Sequence, residues 1–73
     1  MPQYVKNKYE LGQNIKKYRE SKNFTQAKLA QLLCINRSMI SYYERGRCFP
    51  SPITLFEMSK LFEINLEDFF IND

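Results

Sequence analysis

A chain of 73 residues makes one domain that buries only about 60% of its unfolded surface, which leaves little room for a catalytic cleft or a small-molecule pocket. Its hydrophobic content of 44% excludes intrinsic disorder, and the absence of a long apolar run or a signal peptide predicts a cytoplasmic protein without membrane contact. The net charge of +3 is unevenly distributed, because residues 1–50 hold ten Lys and Arg and three Glu (+7), whereas residues 51–73 hold one Lys and five Asp and Glu (−4).

The first eight residues show no clear period, so we expect a leader at 1–8 that is either flexible or an early extension of the first helix. The helical domain then occupies residues 9–71. From Tyr9 to Lys22 apolar residues recur at helical spacing, which predicts the first helix. Asn23 follows it, and asparagine accepts the left-handed conformation that ends many helices.

The second helix has a well-defined start. Thr25 can cap it, and Phe24 before the cap can pack on Leu29 as a hydrophobic staple. The side of this helix that we expect to face the core consists of Leu29, Leu32 and Leu33. Residues 34–36 then form a tight turn into the next helix.

The third helix carries one apolar stripe and one stripe of polar groups. Asn36 can cap it, and Gly46 suits the position after its end. Ile40 and Tyr43 lie three residues apart and share the face that should be buried. The opposite face carries Arg37, Ser38, Ser41, Tyr42 and Arg45. Such a helix in the basic half of a chain fits the major groove of DNA, although a solvated surface on an amphipathic helix would look similar.

Two further helices are predicted towards the end of the chain. Ser51 caps the fourth, with Pro52 in its first position, where a missing N–H costs nothing. Its apolar stripe consists of Leu55, Met58, Leu61 and Phe62. Asn65 caps a short fifth helix, with Asp68 at its third position.

An apolar cluster follows near the chain end and consists of Phe69, Phe70 and Ile71. At least one of these side chains should close the core beneath the fourth helix. A domain this small cannot easily bury all three, so we take all three as candidates for the interface of a homodimer.

The two cysteines, Cys34 and Cys48, lie at opposite ends of the third helix. At the helical rise per residue they are roughly 15 Å apart, well beyond the ~7 Å Cα separation that a disulfide tolerates. The chain contains no His, and two isolated cysteines do not make a zinc site. We therefore expect no intramolecular disulfide, no metal and no other cofactor.

Five short helices without a strand signal predict an all-α fold. Short motifs are distributed along residues 11–70, namely Leu11-Gly12, Thr25-Gln26, Leu29-Ala30, Ile40-Ser41, Glu44-Arg45-Gly46, Pro50-Ser51 and Leu66-Glu67-Asp68-Phe69-Phe70. Together they resemble the Cro/repressor-type helix-turn-helix DNA-binding domains (the XRE-like, lambda-repressor-like family). The resemblance implies a compact five-helix domain whose second and third helices form the helix-turn-helix. It also implies a homodimer on a two-fold symmetric operator, with each third helix in the major groove.

The resemblance assigns DNA contacts by position. The base contacts that it implies are Arg37, Ser38, Tyr42 and Ser41, of which Ser41 is ambiguous between a base and the backbone. The phosphate contacts are Gln26, Arg45 and Arg47. Gln26 stands at the N-terminus of the second helix, where free N–H groups and the helix dipole favour anions.

Arg19 and Glu44 match a pair that in this family often forms a salt bridge behind the DNA-reading surface, and we expect the pair to fix how the first and third helices meet. Two residues depart from the family pattern. Cys34 stands where the turn usually has Gly, often with a positive φ, and Glu63 replaces another frequent Gly. A non-Gly residue in the left-handed region costs about 1–2 kcal/mol.

Three classes of function can be compared. The first is a sequence-specific DNA-binding transcriptional regulator, of the kind that includes phage and mobile-element repressors, restriction–modification controllers and antitoxin-type autoregulators. The alternative is an adaptor that keeps the fold and binds protein without reading DNA, which would predict an acidic or apolar third-helix surface. An enzyme has least support, because the chain has no His and no nucleophile–base pairing.

Overall fold

The computed structural model describes residues 2–72, and this part of the chain contains four α-helices. They are α1 (Lys8–Ser21), α2 (Gln26–Leu33), α3 (Arg37–Glu44) and α4 (Pro52–Phe62). A five-residue 3₁₀ helix follows at Leu66–Phe70. Two short strands, β1 (Gln3–Tyr4) and β2 (Ile71–Asn72), pair in an antiparallel register. None of the helices in residues 2–72 is long and apolar enough to cross a membrane.

The last elements correct the prediction of five α-helices and no strand. The fifth helix is a 3₁₀ helix, because only five residues separate its cap, Asn65, from Ile71, whose extended backbone (φ −105°, ψ 127°) begins β2. At the start of this helix the Asn65 N–H donates to the Asp68 carboxylate (2.9 Å), as in a capping box. The sequence gives no signal for the strands because two residues are too few to show an alternating pattern.

The capping residues set the helix boundaries. Thr25 Oγ1 accepts a hydrogen bond from the Lys28 N–H (3.0 Å), and Ser51 Oγ accepts one from the Thr54 N–H (3.2 Å). Asn23, just after α1, lies in the left-handed region (φ 60°). These three positions behave as the sequence predicts.

The core fills the space between the α-helices and the 3₁₀ helix. Its buried apolar side chains are Leu11, Ile15, Leu29, Ala30, Leu33, Ile40, Tyr43, Leu55, Met58, Phe62 and Phe69. Leu32 was predicted to belong to this set but is 41% exposed. The reason is helical spacing, because Leu29 and Leu33 are four residues apart and take the inward positions of α2.

Phe69 closes the core beneath α4. It is fully buried, and its ring meets those of Tyr18 and Phe62 edge-on at centroid distances of 5.9 and 6.0 Å. Phe69 is therefore not available to a second copy of the chain, which corrects its prediction as a dimer-interface residue. Phe70 and Ile71 are partly exposed and keep that candidacy.

Asn14 ties the two ends of the chain together. Its side chain is buried in α1, and Nδ2 donates to the carbonyl oxygens of Phe69 (2.9 Å) and Ile71 (3.3 Å). The Val5 N–H donates to the Phe70 carbonyl oxygen (2.8 Å). The segments before α1 and after the 3₁₀ helix thus meet beside α1, with the buried amide satisfied.

Candidate nucleic-acid interface

Helix α3 is buried along one side and open along the other. Ile40 is fully buried and Tyr43 is 7% exposed. The other side presents Arg37, Ser38, Tyr42 and Arg45 as exposed residues and Ser41 as a partly exposed one. These are the side chains of α3 for which the sequence predicts contacts to DNA, and they form one continuous surface at helical spacing.

A tight turn joins α2 to α3. Cys34 has φ 58° and ψ 40°, the left-handed conformation expected from the resemblance, and the Ile35 N–H donates to the Ala30 carbonyl oxygen (3.0 Å). Asn36 holds the N-cap position, but its side chain makes no capping hydrogen bond, which corrects the prediction. The Met39 N–H donates instead to the Asn36 carbonyl oxygen (3.0 Å).

Gly12 brings α1 into backbone contact with the end of α3. A Cβ atom at Gly12 would collide with the carbonyl oxygens of Tyr43 and Glu44. No other residue type fits this crossing without a shift of backbone. The close approach therefore sets the position of α3 relative to α1.

A buried ion pair spans the same crossing. Arg19 Nε and Nη2 donate to Glu44 Oε2 (2.6 Å) and Oε1 (3.1 Å), and both residues are more than nine-tenths buried. Arg19 Nη1 donates to the Phe24 carbonyl oxygen (2.7 Å), so each charge has several partners. Two charges so far from water need such hydrogen bonds to be tolerated. The side chains expected to pair are thus in bidentate contact.

Gln26 connects this ion pair to the exposed face of α3. Its Nε2 donates to Glu44 Oε1 (3.0 Å), and its Oε1 accepts from Arg37 Nη1 (3.4 Å). A line of hydrogen bonds therefore runs from Arg19 through Glu44 and Gln26 to Arg37. The sequence predicts Gln26 only as a phosphate contact, because its bridging position depends on how α2 and α3 cross.

Arg45 stacks on Tyr42. The guanidinium carbon lies 5.4 Å from the ring centroid, and the two residues are three apart on α3. The negative face of the ring attracts the cation. The N–H donors lie in the plane of the guanidinium, at the edge of that group, where they can still bind another acceptor. A predicted phosphate contact and a predicted base contact thus form one unit on the surface.

The loop after α3 brings Arg47 next to α1. Gly46 has φ 73°, and a Cβ atom there would lie 2.5 Å from Tyr9 Cα, so the loop packs on the first turn of α1. The Arg47 N–H donates to the Tyr42 carbonyl oxygen (2.9 Å), and the side chain of Arg47 is exposed. Tyr9, for which the sequence predicts no contact, is thereby placed at the edge of this surface.

Burial, and then the charge of Cys48, raises the pKa of the Tyr43 phenol above its ordinary value of 10.0. Cys34 and Cys48 are both free thiols. Within residues 2–72 there is no group of three or more His, Cys, Asp and Glu side chains that could hold a metal ion.

The chain matches a known protein family. A family model described as helix-turn-helix (HTH_3) matches residues 15–69. An uncharacterized HTH-type transcriptional regulator of Methanocaldococcus jannaschii is 39% identical over 57 residues, which are 78% of this chain and 86% of that protein.

Two better-described proteins are also similar. The HTH-type transcriptional activator BcrR of Enterococcus faecalis is 32% identical over 59 residues, which are 81% of this chain but only 29% of the length of BcrR. The structure of SinR, the master regulator for biofilm formation, in complex with DNA matches with a TM-score of 0.74 and 28% identity. That match covers 81% of this chain and 95% of the SinR chain.

Proposed function

Because the chain belongs to the helix-turn-helix family, we propose that it binds double-stranded DNA sequence-specifically and regulates transcription. Helix α3 enters the major groove, which is wide enough for one α-helix. The observation that carries this proposal is the division of α3, whose apolar side is buried and whose open side presents Arg37, Ser38 and Tyr42. We place the protein in the cytoplasm.

Arg37 is the main base reader in this proposal. Its guanidinium offers two donors to a guanine edge, a contact that discriminates between bases by about 1–3 kcal/mol. Gln26 Oε1 accepts a hydrogen bond from Arg37 Nη1, which restricts the guanidinium before DNA binds. The side-chain entropy lost on binding is therefore smaller. Ser38, Ser41 and the Tyr42 hydroxyl can each donate to or accept from neighbouring base edges.

The phosphate contacts flank the groove. Arg47 lies on the loop after α3, and Gln26 lies at the N-terminus of α2, where unpaired N–H groups attract an anion. Arg45, whose guanidinium carbon lies 5.4 Å from the centroid of the Tyr42 ring, offers N–H donors to the DNA backbone in this proposal. Such contacts fix the register of a protein on the duplex and carry no sequence information themselves.

The adaptor alternative is less well supported. A partner-binding surface that had lost DNA reading would carry acidic or apolar groups on α3, whereas the exposed face of this helix carries Arg37 and Arg45. Catalysis has no supporting residues in the described part of the chain. Repression or activation depends on where the operator lies relative to the promoter.

We further propose a homodimer that pairs through the face of α4. Its apolar side chains Ile53 and Phe56 are 73% and 51% exposed, and Leu66 on the 3₁₀ helix is 41% exposed. The same face carries Glu57 and Lys60, so two copies related by a two-fold axis can pair opposite charges across it. A two-fold dimer places two reading helices about 34 Å apart, one turn of DNA.

Selection of bound DNA from a random pool, followed by a salt series on the recovered site, tests the DNA-binding proposal. We expect a site with two-fold symmetry and an affinity that falls with salt at a logarithmic slope of about −0.9 per neutralised phosphate. Recovery of random sequences with no salt dependence would leave the adaptor as the better account.

Sedimentation of the free protein tests the dimer. Ile53→Asp should convert dimers into monomers, whereas Leu32→Asp, an equivalent change at an exposed position of α2, should not. If both variants sediment like the unchanged protein, α4 is not the interface.

A further inference from the structure

The N-terminal half of α1 lies along the loop that follows α3. Gly46 packs on the backbone of Tyr9, and Gly12, nearly one turn further along α1, packs on the carbonyl oxygens at the end of α3. Both are contacts of backbone with backbone, so they hold α1 against the loop. The flank of α1 that begins at Tyr9 therefore borders the loop that carries Arg47.

Three exposed side chains share that flank, namely Tyr9, Gln13 and Lys16. At the angular step of an α-helix they fall within about 60° of one another. Leu11 and Ile15, both fully buried, occupy the opposite flank of Gly12 and face the core. The side of α1 that carries Tyr9 thus faces away from the core and lies next to the loop that contains Gly46 and Arg47.

The chemistry of this flank suits a phosphate. Gln13 Nε2 donates to Tyr9 Oη (3.1 Å), which occupies the oxygen of the phenol and leaves its proton for an acceptor outside the protein. The Tyr9 ring is 56% exposed, so its hydroxyl can reach such an acceptor. Lys16 adds a positive charge next to Gln13. An O–H donor and an ammonium group are both strong donors to phosphate oxygens.

Two acids lie near this flank, and among the described residues neither forms an ion pair with Lys16. Glu10 is engaged within the protein, because its Oε1 accepts from the Lys6 N–H (2.8 Å) and from Asn72 Nδ2 (3.1 Å). Glu20 is exposed one turn beyond Lys16 on the same side of α1, and its carboxylate ends the positively charged part of the flank.

We infer that Tyr9 and Lys16 contact the phosphate backbone of DNA beside the phosphate met by Arg47, with Gln13 as the residue that positions the Tyr9 hydroxyl. This inference rests on the proposed function and extends its surface from α3 to α1. Two helical turns, about 10 Å, separate Tyr9 from Lys16, so the two side chains meet different phosphates. Contacts of this kind add affinity for every sequence and do not change base preference.

The salt dependence of binding tests the inference on the full chain. For Lys16→Gln we expect the logarithmic salt slope to shrink by about 0.9, equally on the selected site and on random DNA. Tyr9→Phe keeps the ring and removes the donor, and we expect binding about tenfold weaker on both DNAs. In a phosphate ethylation interference experiment, each variant should no longer be sensitive to ethylation of one phosphate, the one that the missing group contacts.

Lys22→Gln is the matched control. It removes the same charge from the residue that follows α1, but Lys22 already pairs with Glu63 (3.1 Å), so we expect its salt slope to stay unchanged. If Lys16→Gln and Tyr9→Phe bind like the unchanged protein while Arg37→Ala and Arg47→Ala weaken binding, the α1 contact is wrong and α3 still reads DNA. If the unchanged protein shows no salt-dependent binding at all, the proposed function itself fails.

Discussion

Arg19 and Glu44 are 25 residues apart in the chain and are joined by two hydrogen bonds beneath the proposed DNA-binding surface (2.6 and 3.1 Å). The contact spans the crossing of α1 and α3 that Gly12 makes close. Every base contact proposed for α3 depends on this crossing, because a small rotation of α3 would turn Arg37 away from the groove. The ion pair of Arg19 and Glu44 therefore contributes both to the stability of the domain and to the orientation of its proposed DNA-reading helix.

Glu44→Leu should strongly destabilise the domain. It leaves the Arg19 charge buried without its acceptor and removes the partner of Gln26, and breaking a buried pair from one side costs about 3–5 kcal/mol. Urea denaturation measures the loss. The double variant Arg19→Met with Glu44→Leu should recover part of it, because no charge is then left unpaired. A single variant that loses less than about 1 kcal/mol would contradict this account.

Arg37→Ala and Arg47→Ala should separate base reading from backbone contact. Loss of Arg37 should relax base preference at one position in each half-site, by about 1–3 kcal/mol, because its donors face a base edge. Loss of Arg47 should weaken binding to all sequences alike and reduce the salt slope by about 0.9. Competition between selected and random DNA measures both effects. Equal losses on the two DNAs from Arg37→Ala would contradict the role assigned to Arg37.

Gln26→Met should weaken the discrimination made by Arg37 even though Arg37 is unchanged. The methionine keeps the length of the side chain but cannot accept from Arg37 Nη1 or donate to Glu44. We expect about 1 kcal/mol less stability from the lost hydrogen bond and a looser preference at the base pair of Arg37. Gln31→Met, at an exposed position of the same helix, serves as the control. An unchanged base preference would show that the bridge is structural only.

The sequence predicts most of the fold because its signals are local. Thr25, Ser51 and Asn23 specify helix ends through their own side chains or backbone freedom, and the structure has them in those positions. The family resemblance also marks Cys34 as a position that often has a positive φ, and its φ is 58°. Glu63, which stands at another frequent Gly of the family, has φ 59°.

What the sequence does not predict depends on contacts between distant segments. The pairing of β1 with β2 follows from the chain ends meeting beside Asn14, and two-residue strands have no period of their own. Phe69 is buried while Phe70 is partly exposed, which the apolar run alone does not distinguish. The bridging position of Gln26 depends on the angle between α2 and α3, and no sequence pattern encodes that angle directly.

Cys34→Gly should stabilise the domain. Cys34 holds φ 58° in the turn between α2 and α3, where glycine avoids the cost of a Cβ atom, so we expect a gain of about 1 kcal/mol. Glu63→Gly should gain less, because Glu63 also pairs with Lys22 at the surface. Thermal unfolding compares the two variants. Alanine at either position keeps the Cβ atom and should give no such gain.

A double-mutant cycle on Tyr42 and Arg45 should reveal coupling in DNA affinity. The guanidinium of Arg45 lies over the Tyr42 ring, so each side chain restricts the other, and an exposed cation–π contact is worth about 0.5–1 kcal/mol. We expect the losses from Tyr42→Ala and Arg45→Ala to be non-additive by that amount, and Tyr42→Phe to retain the coupling because the ring remains. Ser38→Ala with Arg45→Ala provides a cycle on the same surface without a direct contact, and its losses should simply add. Additive losses in the Tyr42 cycle would mean that Arg45 meets a phosphate independently of the base reader.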